Sequence, residues 1–352
     1  MLQTPAYAAA DGASPLAPFT IERREPRANE VLIDILYCGV CHSDIHQVRD
    51  EWGGNGIFPM VPGHEIVGRV AQVGAGVDTF KVGDAVGVGC FVDSCRACPQ
   101  CRGGEEQYCD HGMTATYNSR ERDSKAPTYG GYSTRITVDE QYVLRIPESI
   151  PLDRAAPLLC AGITTYSPLK YFGLKRGDAL AVVGLGGLGH MAVKFGVAMG
   201  ATVTVLSTSE NKREDALALG AHAFASTRDA ATFKKLAGSF DFILDTVSAP
   251  HDYNACLSLL KANGTMILVG IPDQPAPVAA GALIMRRRKL VGSLIGGIRE
   301  TQEMLNYCAQ HGIASDIELI DIVSINEAYE RMIKGDVKYR FVIDIASLNA
   351  AA

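Results

Sequence analysis

The sequence has a single tryptophan and few basic clusters among its 352 residues, with 33 lysines and arginines against 39 acidic side chains. The formal net charge is −6, and the longest run of consecutive basic residues is Arg286 to Lys289. A nucleic-acid-binding domain needs a basic face, and four charges beside an apolar stretch do not make one. We therefore expect no nucleic-acid partner.

Signal-peptide and membrane-span patterns are also missing. The first ten residues are mostly apolar, but they contain no basic residue, and Asp11 and Pro15 soon follow them. A signal peptide begins with positive charges, and a membrane span needs about 20 apolar residues. We therefore expect a cytoplasmic protein with no membrane partner. No internal repeat or low-complexity segment is visible, and this length with 47% hydrophobic residues suits two domains.

The ten cysteines are unevenly distributed, since five of them lie between Cys90 and Cys109. Four follow the pattern Cys95-x2-Cys98-x2-Cys101-x7-Cys109. Disulfides are rare in the cytoplasm, and four thiolates complete the tetrahedral shell of a structural zinc ion with no open position. An iron–sulfur cluster could use similar ligands, but nothing else in the sequence requires electron transfer. We expect Cys90 and Cys38 to pack in the core.

Three separate segments supply the donors of a second metal site. Cys41, His64 and Cys160 would form a thiolate–imidazole–thiolate shell whose fourth position stays open, as catalytic zinc requires. Glu65 could alternate with water at that position. Asp44 could accept the second imidazole proton of His64 and so fix its tautomer. Cys38 lies close enough to Cys41 in the chain to compete as a ligand.

A glycine-rich turn predicts dinucleotide binding. Residues 179–183 form an apolar strand that runs into Gly184-Leu185-Gly186-Gly187-Leu188-Gly189, and an apolar helical pattern follows over 191–199. In this context Gly184 permits the tight turn, Gly186 admits the pyrophosphate, and Gly189 allows close packing of helix on strand. The helix N-terminus favours the phosphate charge.

The residues after the second strand of this region indicate which dinucleotide binds. An acid there would bind the ribose hydroxyls of NAD. The sequence instead has Ser207, Thr208 and Ser209, with Lys212 nearby. Hydroxyls and a cation suit a 2'-phosphate, so the pattern predicts NADP(H), although Glu210 argues mildly against it.

The hydrophobic pattern changes near residue 179. Before it, apolar runs punctuated by glycine predict a compact β-barrel, with strands over 31–37, 66–73 and 82–88. After it, strands alternate with helical patterns, which predicts a parallel α/β sheet. Its predicted strands cover 179–183, 202–206, 240–245 and 265–269. Two helices, over 300–311 and 326–334, and a strand over 341–345 are predicted to follow.

Together, the motif Gly63-His64-Glu65, the four-cysteine cluster and the glycine turn resemble the zinc-containing medium-chain dehydrogenase/reductase family over nearly the whole chain. Segments 39–46, 159–165 and 205–209 resemble its cinnamyl alcohol dehydrogenase-like branch, including bacterial NADP-dependent aldehyde reductases. The resemblance implies an α/β fold with a GroES-like β-barrel catalytic domain formed by residues 1–153 and 293–352. Residues 154–292 would form a Rossmann cofactor-binding domain with a doubly wound parallel sheet.

The resemblance also implies roles for individual residues, two Zn²⁺ ions per chain, NADP(H) and a homodimer. Cys41, His64 and Cys160 would hold the catalytic zinc with Glu65 as alternate ligand, and the four-cysteine cluster would hold the structural zinc. The residues with other implied roles are Ser43 and His46 as proton carriers, His42 near the pyrophosphate, Thr164 in the nicotinamide region, Val269, Ile271 and Leu294 against the nicotinamide, and Trp52 as a wall of the substrate pocket. Trp52 could equally pack in the core.

The predicted function is a zinc-dependent oxidoreductase that interconverts primary alcohols and aldehydes, aromatic and aliphatic, by hydride transfer with NADP(H). Aldehyde reduction is the expected direction in the cell, because NADPH is abundant there. Three alternatives remain open: an NAD-dependent polyol dehydrogenase, a metal-free quinone or enone reductase of the same fold, and a non-catalytic dinucleotide-binding protein. An acid at position 207 would favour the first, and the three zinc ligands disfavour the second.

Overall fold

The computed structural model describes residues 1–272 and 274–350, which form two compact units. One unit comprises residues 1–163 and the described residues from 296 onward, and the other comprises Thr164–Ile295. The domain boundaries expected at 153/154 and 292/293 stay a prediction. In the described part of the chain, every helix is too short or too polar to cross a bilayer.

The first unit is built around a seven-stranded sheet. Its strands, with two small strand pairs, are β1 (Leu2–Ala8), β2 (Ala17–Arg23), β3 (Glu30–Gly39), β4 (Ile66–Val73), β5 (Ala85–Val88), β6 (Phe91–Asp93), β7 (Thr114–Ala115), β8 (Arg135–Asp139), β9 (Leu144–Arg145), β16 (Ile317–Asp321) and β17 (Arg340–Asp344). The order in the large sheet is β16-β17-β3-β4-β5-β9, and β8 also pairs with β3. Because β3 and β4 are antiparallel, the segment after β3 lies beside the segment before β4.

Short helices connect these strands. They are α1 (His42–Val48), α2 (Pro99–Gly103), α3 (Leu152–Ala155), α10 (Ile298–His311) and α11 (Ile325–Ile333). α10 buries Thr301, Met304, Leu305 and Cys308, which recur at the spacing of one helix face. Both C-terminal helices and the closing strand lie within two residues of their predicted bounds.

The second unit contains a six-stranded parallel sheet with the order β12-β11-β10-β13-β14-β15. Its strands are β10 (Ala179–Val183), β11 (Thr202–Ser207), β12 (Ala223–Ser226), β13 (Phe240–Asp245), β14 (Leu260–Leu268) and β15 (Lys289–Gly292). Its helices are α4 (Ala161–Tyr171), which begins in the first unit, α5 (Gly189–Ala198), α6 (Arg213–Ala218), α7 (Ala230–Lys235), α8 (Tyr253–Ser258) and α9 (Ala280–Ile284). All six strands end at one edge, where open α/β sheets bind their ligands.

Two strand predictions need correction. The strand expected from residue 82 begins at Ala85, because Val82 is 63% exposed and Gly83 has a φ of +92°, which places both in a turn. The strand expected from residue 265 begins at Leu260. Its first half contains polar residues and a glycine, which interrupt the hydrophobic pattern typical of a buried strand. The prediction also missed the edge strand β12, which is only four residues long.

Candidate functional site

The four clustered cysteines converge on one point. The sulfurs of Cys95, Cys98, Cys101 and Cys109 all lie within 4.8 Å of one another, and those of Cys95 and Cys101 are 3.9 Å apart. A tetrahedral zinc site with Zn–S bonds of about 2.3 Å places its sulfurs about 3.8 Å apart. The donor set therefore fits a zinc ion with all four positions filled by protein.

Backbone amides stabilise the thiolate form of three of these cysteines, Cys95, Cys98 and Cys109. The amides of Cys95, Cys98 and Cys101 donate to the sulfurs of Cys109, Cys95 and Cys98 at 3.4, 3.3 and 3.4 Å. Donation from the Ala97 and Cys98 amides lowers the pKa of Cys95, and donation from the Cys101 amide lowers the pKa of Cys98. Since zinc binds the thiolate, these contacts favour the ligand form.

The second set of predicted ligands also converges. Donor atoms of Cys41, His64, Glu65 and Cys160 lie within 4.8 Å of one another, and all four residues are buried. The antiparallel pair β3–β4 places Cys41, which precedes α1, beside His64 and Glu65, which precede β4. Cys160 precedes α4 and brings its sulfur to 3.9 Å from that of Cys41. This spacing again fits two thiolates on one tetrahedral zinc.

Asp44 orients His64. Its Oδ1 lies 3.1 Å from Nδ1 of His64 and accepts from the Gly63 amide at 3.2 Å, while Oδ2 accepts from the Cys41 amide at 2.8 Å. Asp44 has no exposed surface. We assign the imidazole proton to Nδ1 on this contact, which leaves the Nε2 lone pair for a metal. The same carboxylate thus fixes both ligand segments.

The thiols of Cys41 and Cys160 are close enough for one to donate a hydrogen bond to the other. The contact with Cys160 lowers the pKa of Cys41 well below its ordinary value, and the contact with Cys41 raises the pKa of Cys160. Two sulfurs at 3.9 Å cannot both carry a charge without a cation between them. A bound zinc ion would supply that charge and displace the remaining proton.

Arg340, which the sequence interpretation missed, pairs with Glu65. Its Nη2 donates to Oε1 of Glu65, and the two side chains are 4% and 0% exposed. Burial raises the pKa of Glu65, and the guanidinium charge opposes that effect. Within the described residues Oε2 of Glu65 has no hydrogen-bond partner, as suits an oxygen that can reach a metal. Arg340 lies 275 residues from Glu65 in the chain, so no local pattern could reveal the pair.

We expect Arg340→Met to lower the free energy of unfolding by about 3–5 kcal/mol, because it leaves a buried carboxylate without its partner. Denaturant unfolding of the zinc-loaded protein measures the loss. Arg331→Met is the matched control, since Arg331 pairs with Glu318 and Asp336 at the surface and such pairs contribute about 1 kcal/mol or less. Equal losses in the two variants would contradict the role of burial.

The predicted proton carriers lie on α1. Oγ of Ser43 is 3.6 Å from the sulfur of Cys41, and His46 lies one turn further along the helix, half-buried. Nδ1 of His46 is 2.5 Å from Oε2 of Glu51. The sequence interpretation missed Glu51, whose side chain is exposed at the surface. The indole of Trp52 stacks on the His46 ring, with centroids 5.1 Å apart.

Two side chains differ from their expected burial. Trp52 is 43% exposed, so the core-packing alternative is wrong for it. Cys90 is half-buried, not buried as predicted. It lies in the short connection between β5 and β6, and its sulfur is 3.8 Å from the Leu159 carbonyl oxygen. Cys38 is fully buried, as expected.

The glycine motif forms a strand–turn–helix in the second unit. Gly184, directly after β10, has a φ of +90°, which favours glycine. A Cβ at Gly189 would come within 2.2 Å of the Gly184 carbonyl oxygen, so α5 packs closely on the turn. Apart from its two chain neighbours, no described residue has an atom within 4 Å of a Cβ placed at Gly186. Packing alone therefore does not require glycine at 186, and the space beside it suits a pyrophosphate.

The residues expected to read the 2'-phosphate lie at the end of β11. Ser207 is its last residue and is 8% exposed, and its Oγ accepts from the Ser209 amide at 3.2 Å. Nζ of Lys212 reaches back to the Leu185 carbonyl oxygen, at 2.9 Å. The carboxylate of Glu210 pairs with Arg213, which reduces its repulsion of a phosphate.

The remaining predicted cofactor residues have the following places. Thr208 is exposed beside Ser207, Thr164 is buried on α4, and His42 is the exposed first residue of α1. Val269 is half-buried after β14, and its amide donates to the Asp245 carbonyl oxygen at 3.0 Å. Ile271 and Leu294 are 62% and 42% exposed. Their roles toward the dinucleotide stay predictions.

Comparison with known proteins identifies the family. Residues 27–148 match the sequence model of the alcohol dehydrogenase GroES-like domain, and residues 187–310 match that of the zinc-binding dehydrogenases. The NADP-dependent alcohol dehydrogenase C 1 of Mycolicibacterium smegmatis is 58% identical over 346 residues, covering 98% of this chain and 99% of that protein. The chain belongs to the zinc-binding alcohol dehydrogenase family.

Two further relatives of this zinc-binding alcohol dehydrogenase define its branch. Aldehyde reductase YahK of Escherichia coli is 57% identical over 338 residues, covering 95% of this chain and 96% of that protein. The structure of a cinnamyl alcohol dehydrogenase from Sorghum bicolor superposes with a TM-score of 0.95 at 47% identity, covering 98% of each chain. These similarities confirm the predicted medium-chain dehydrogenase/reductase family, its cinnamyl alcohol dehydrogenase-like branch, and the α/β fold with GroES-like and Rossmann domains.

Proposed function

We propose that this dehydrogenase interconverts primary alcohols and aldehydes, aromatic and aliphatic, by hydride transfer with NADP(H), and that it reduces aldehydes in the cell. The convergence of Cys41, His64, Glu65 and Cys160 carries the proposal, because three ligands and an alternate fourth suit a catalytic zinc ion. The names of the bacterial relatives support both the substrates and the cofactor.

Two Zn²⁺ ions and NADP(H) are the cofactors. At the Cys41 site, zinc would supply a Lewis acid that polarises the substrate oxygen, and the dinucleotide would supply or accept the hydride. The site at Cys95, Cys98, Cys101 and Cys109 has no position left for substrate, so its zinc would stabilise the surrounding lobe.

The protein's own residues would move the proton. Ser43 lies beside the Cys41 sulfur and would exchange a proton with the substrate oxygen. His46 would carry it onward, because an imidazole ring can both accept and donate a proton. Glu51, in contact with His46 at 2.5 Å, would deliver the proton to solvent. Trp52 would contribute a wall of the substrate pocket, since its indole is partly exposed and held against His46.

The assembly, domain boundaries and location complete the proposal. Residues 1–153 and 293–352 form the catalytic domain and residues 154–292 the cofactor-binding domain. The protein is a cytoplasmic homodimer, and pairing across the dimer would involve residues 290–297, because β15 is the outermost strand of its sheet. Light scattering after gel filtration would test the dimer.

A steady-state panel tests the function. Benzaldehyde, cinnamaldehyde and hexanal would each be reduced with NADPH and with NADH, and zinc would be counted on the same protein. We expect the enzyme to turn over all three aldehydes. We also expect kcat/KM with NADPH to be at least about tenfold above that with NADH, because hydrogen bonds to the charged 2'-phosphate contribute about 1.5–3 kcal/mol. Oxidation of polyols with NAD alone would support the polyol dehydrogenase alternative and overturn the proposal.

A further inference from the structure

Asp245 and His251 form an ion pair at the carboxyl edge of the parallel sheet. Asp245 ends β13, and its Oδ2 lies 2.8 Å from Nε2 of His251. The carboxylate is 1% exposed, while His251 is half-buried. This edge is where open α/β sheets bind their ligands, and none of the roles discussed above uses either residue.

Both ring nitrogens of His251 face acceptors. Nδ1 lies 2.9 Å from the Ala249 carbonyl oxygen, and Nε2 faces Asp245. A neutral imidazole carries a single N–H, so only the imidazolium can donate to both. The hydrogen bond to Asp245 raises the pKa of His251 above its ordinary value, against the opposing effect of burial.

The pair closes a loop, residues 246–250, that packs on the glycine turn. Oγ1 of Thr246 donates to the carbonyl oxygen of Val183, the last residue of β10, at 2.8 Å. The Val247 amide donates to Oδ1 of Asp245 at 3.1 Å. A Cβ added at Gly184 would come within 2.8 Å of Cγ2 of Val247, so the Val247 side chain forms a wall of the turn.

The other side of the loop contacts the segment after β14. The amides of Val269 and Gly270 donate to the Asp245 carbonyl oxygen at 3.0 and 3.3 Å. A Cβ at Gly270 would lie 2.5 Å from the Val247 carbonyl oxygen. The loop is therefore fitted between the turn expected to hold the pyrophosphate and the segment expected to contact the nicotinamide. A displacement of the loop would disturb both.

Asp252, Tyr253 and Cys256 are the titratable neighbours of the pair that the described contacts show. Asp252 caps α8 through contacts with the amides of Asn254 and Ala255, and its charge favours the imidazolium. The Tyr253 ring lies 4.9 Å from the His251 ring. Burial raises the pKa of Tyr253 and raises that of Cys256 to about 12, so both stay neutral below about pH 10.

We propose that His251 is a positioning residue for the dinucleotide. Its ion pair with Asp245 holds the 246–250 loop against the glycine turn, and loss of the pair weakens binding of the whole cofactor. This inference rests on the proposed NADP(H)-dependent function. The loop packs on the glycine turn, which is expected to hold the pyrophosphate common to both dinucleotides, so the effect applies equally to NADPH and NADH.

Fluorescence titration of the zinc-loaded full chain with NADPH and with NADH, between about pH 6 and pH 10, tests the proposal. We expect His251→Ala to raise both Kd values about tenfold near neutral pH, because the variant loses the charged hydrogen bond that holds the loop. In the wild type, the contribution is present at low pH and is lost as the pH rises through the raised pKa of His251. His251→Gln can still donate to Asp245 but cannot titrate, so it keeps most of the affinity and loses this part of the pH dependence.

His222→Ala is the matched control. His222 lies at the opposite, amino edge of the same sheet, where its Nδ1 accepts from the Val203 amide at 3.1 Å, and this variant should bind both cofactors like the wild type. Wild-type Kd values in His251→Ala would overturn the inference and leave the proposed function standing, whereas a wild type that binds neither dinucleotide would overturn the function itself. If His251→Ala does not fold, an unchanged pH dependence in His251→Gln overturns the inference.

Discussion

Replacing Cys160 with alanine is expected to lower the zinc content from two ions per chain to one and to reduce kcat/KM for aldehyde reduction by at least about a thousandfold. The sulfur of Cys160 lies 3.9 Å from that of Cys41, and no other described residue joins the set of Cys41, His64 and Glu65 within 4.8 Å. A Lewis acid contributes several kcal/mol of transition-state stabilisation, and about 4 kcal/mol corresponds to a thousandfold change in rate.

Elemental analysis and steady-state kinetics on the same preparation measure this effect. Cys38→Ala is the matched control, because Cys38 is also a buried thiol and lies three residues before Cys41. This variant should keep both zinc ions and nearly full activity. The remaining ion in Cys160→Ala is the one held by the four clustered cysteines, so the variant should stay folded. A Cys160→Ala protein with two zinc ions and wild-type turnover would show that the ligand assignment is wrong.

We expect Ser207→Asp to lower the ratio of kcat/KM with NADPH to that with NADH by at least about a hundredfold. Ser207 ends β11 at the ligand-binding edge and is 8% exposed. A carboxylate there would accept hydrogen bonds from the ribose hydroxyls of NADH. It would also repel a 2'-phosphate, since like charges about 4 Å apart repel by roughly 4 kcal/mol at an effective dielectric constant of about 20.

The ratio of the two cofactors, measured with one aldehyde, separates this effect from a general loss of activity. Thr202→Asp places the same charge at the exposed amino end of the same strand, and it should leave the ratio unchanged. If Ser207→Asp also leaves the ratio unchanged, groups other than the residues at the end of β11 bind the 2'-phosphate of NADPH.

Several features could be predicted from the sequence because their signal is local. The four cysteines are close together in the chain, and their spacing alone indicates a closed zinc site. The glycine turn likewise combines a buried strand, three placed glycines and a helix within about 20 residues. Donor chemistry and the family resemblance both predicted the set of Cys41, His64 and Cys160, which the fold brings together although Cys160 lies 119 residues after Cys41.

Other features of the site depend on contacts that no spacing predicts. Arg340 contacts Glu65 only because β3 pairs with β17 on one side and with β4 on the other. Arg340 begins β17 and Glu65 directly precedes β4, so the two side chains meet. Asp245 meets His251 through a loop whose contacts come from distant segments: the Val183 carbonyl oxygen accepts from Thr246, and the Val269 and Gly270 amides donate to the Asp245 carbonyl oxygen. Trp52 could have packed in the core on composition alone, and the structure places it against His46 instead.

The sequence by itself therefore determined the class of fold, the two metal-ligand sets and the cofactor turn, because ligand chemistry and backbone conformation limit which residue types can serve there. Only the tertiary structure decided which buried charges are paired and which loops support the site. A buried ion pair requires complementary charges close in space, and strands far apart in the chain satisfy that requirement without any shared sequence pattern.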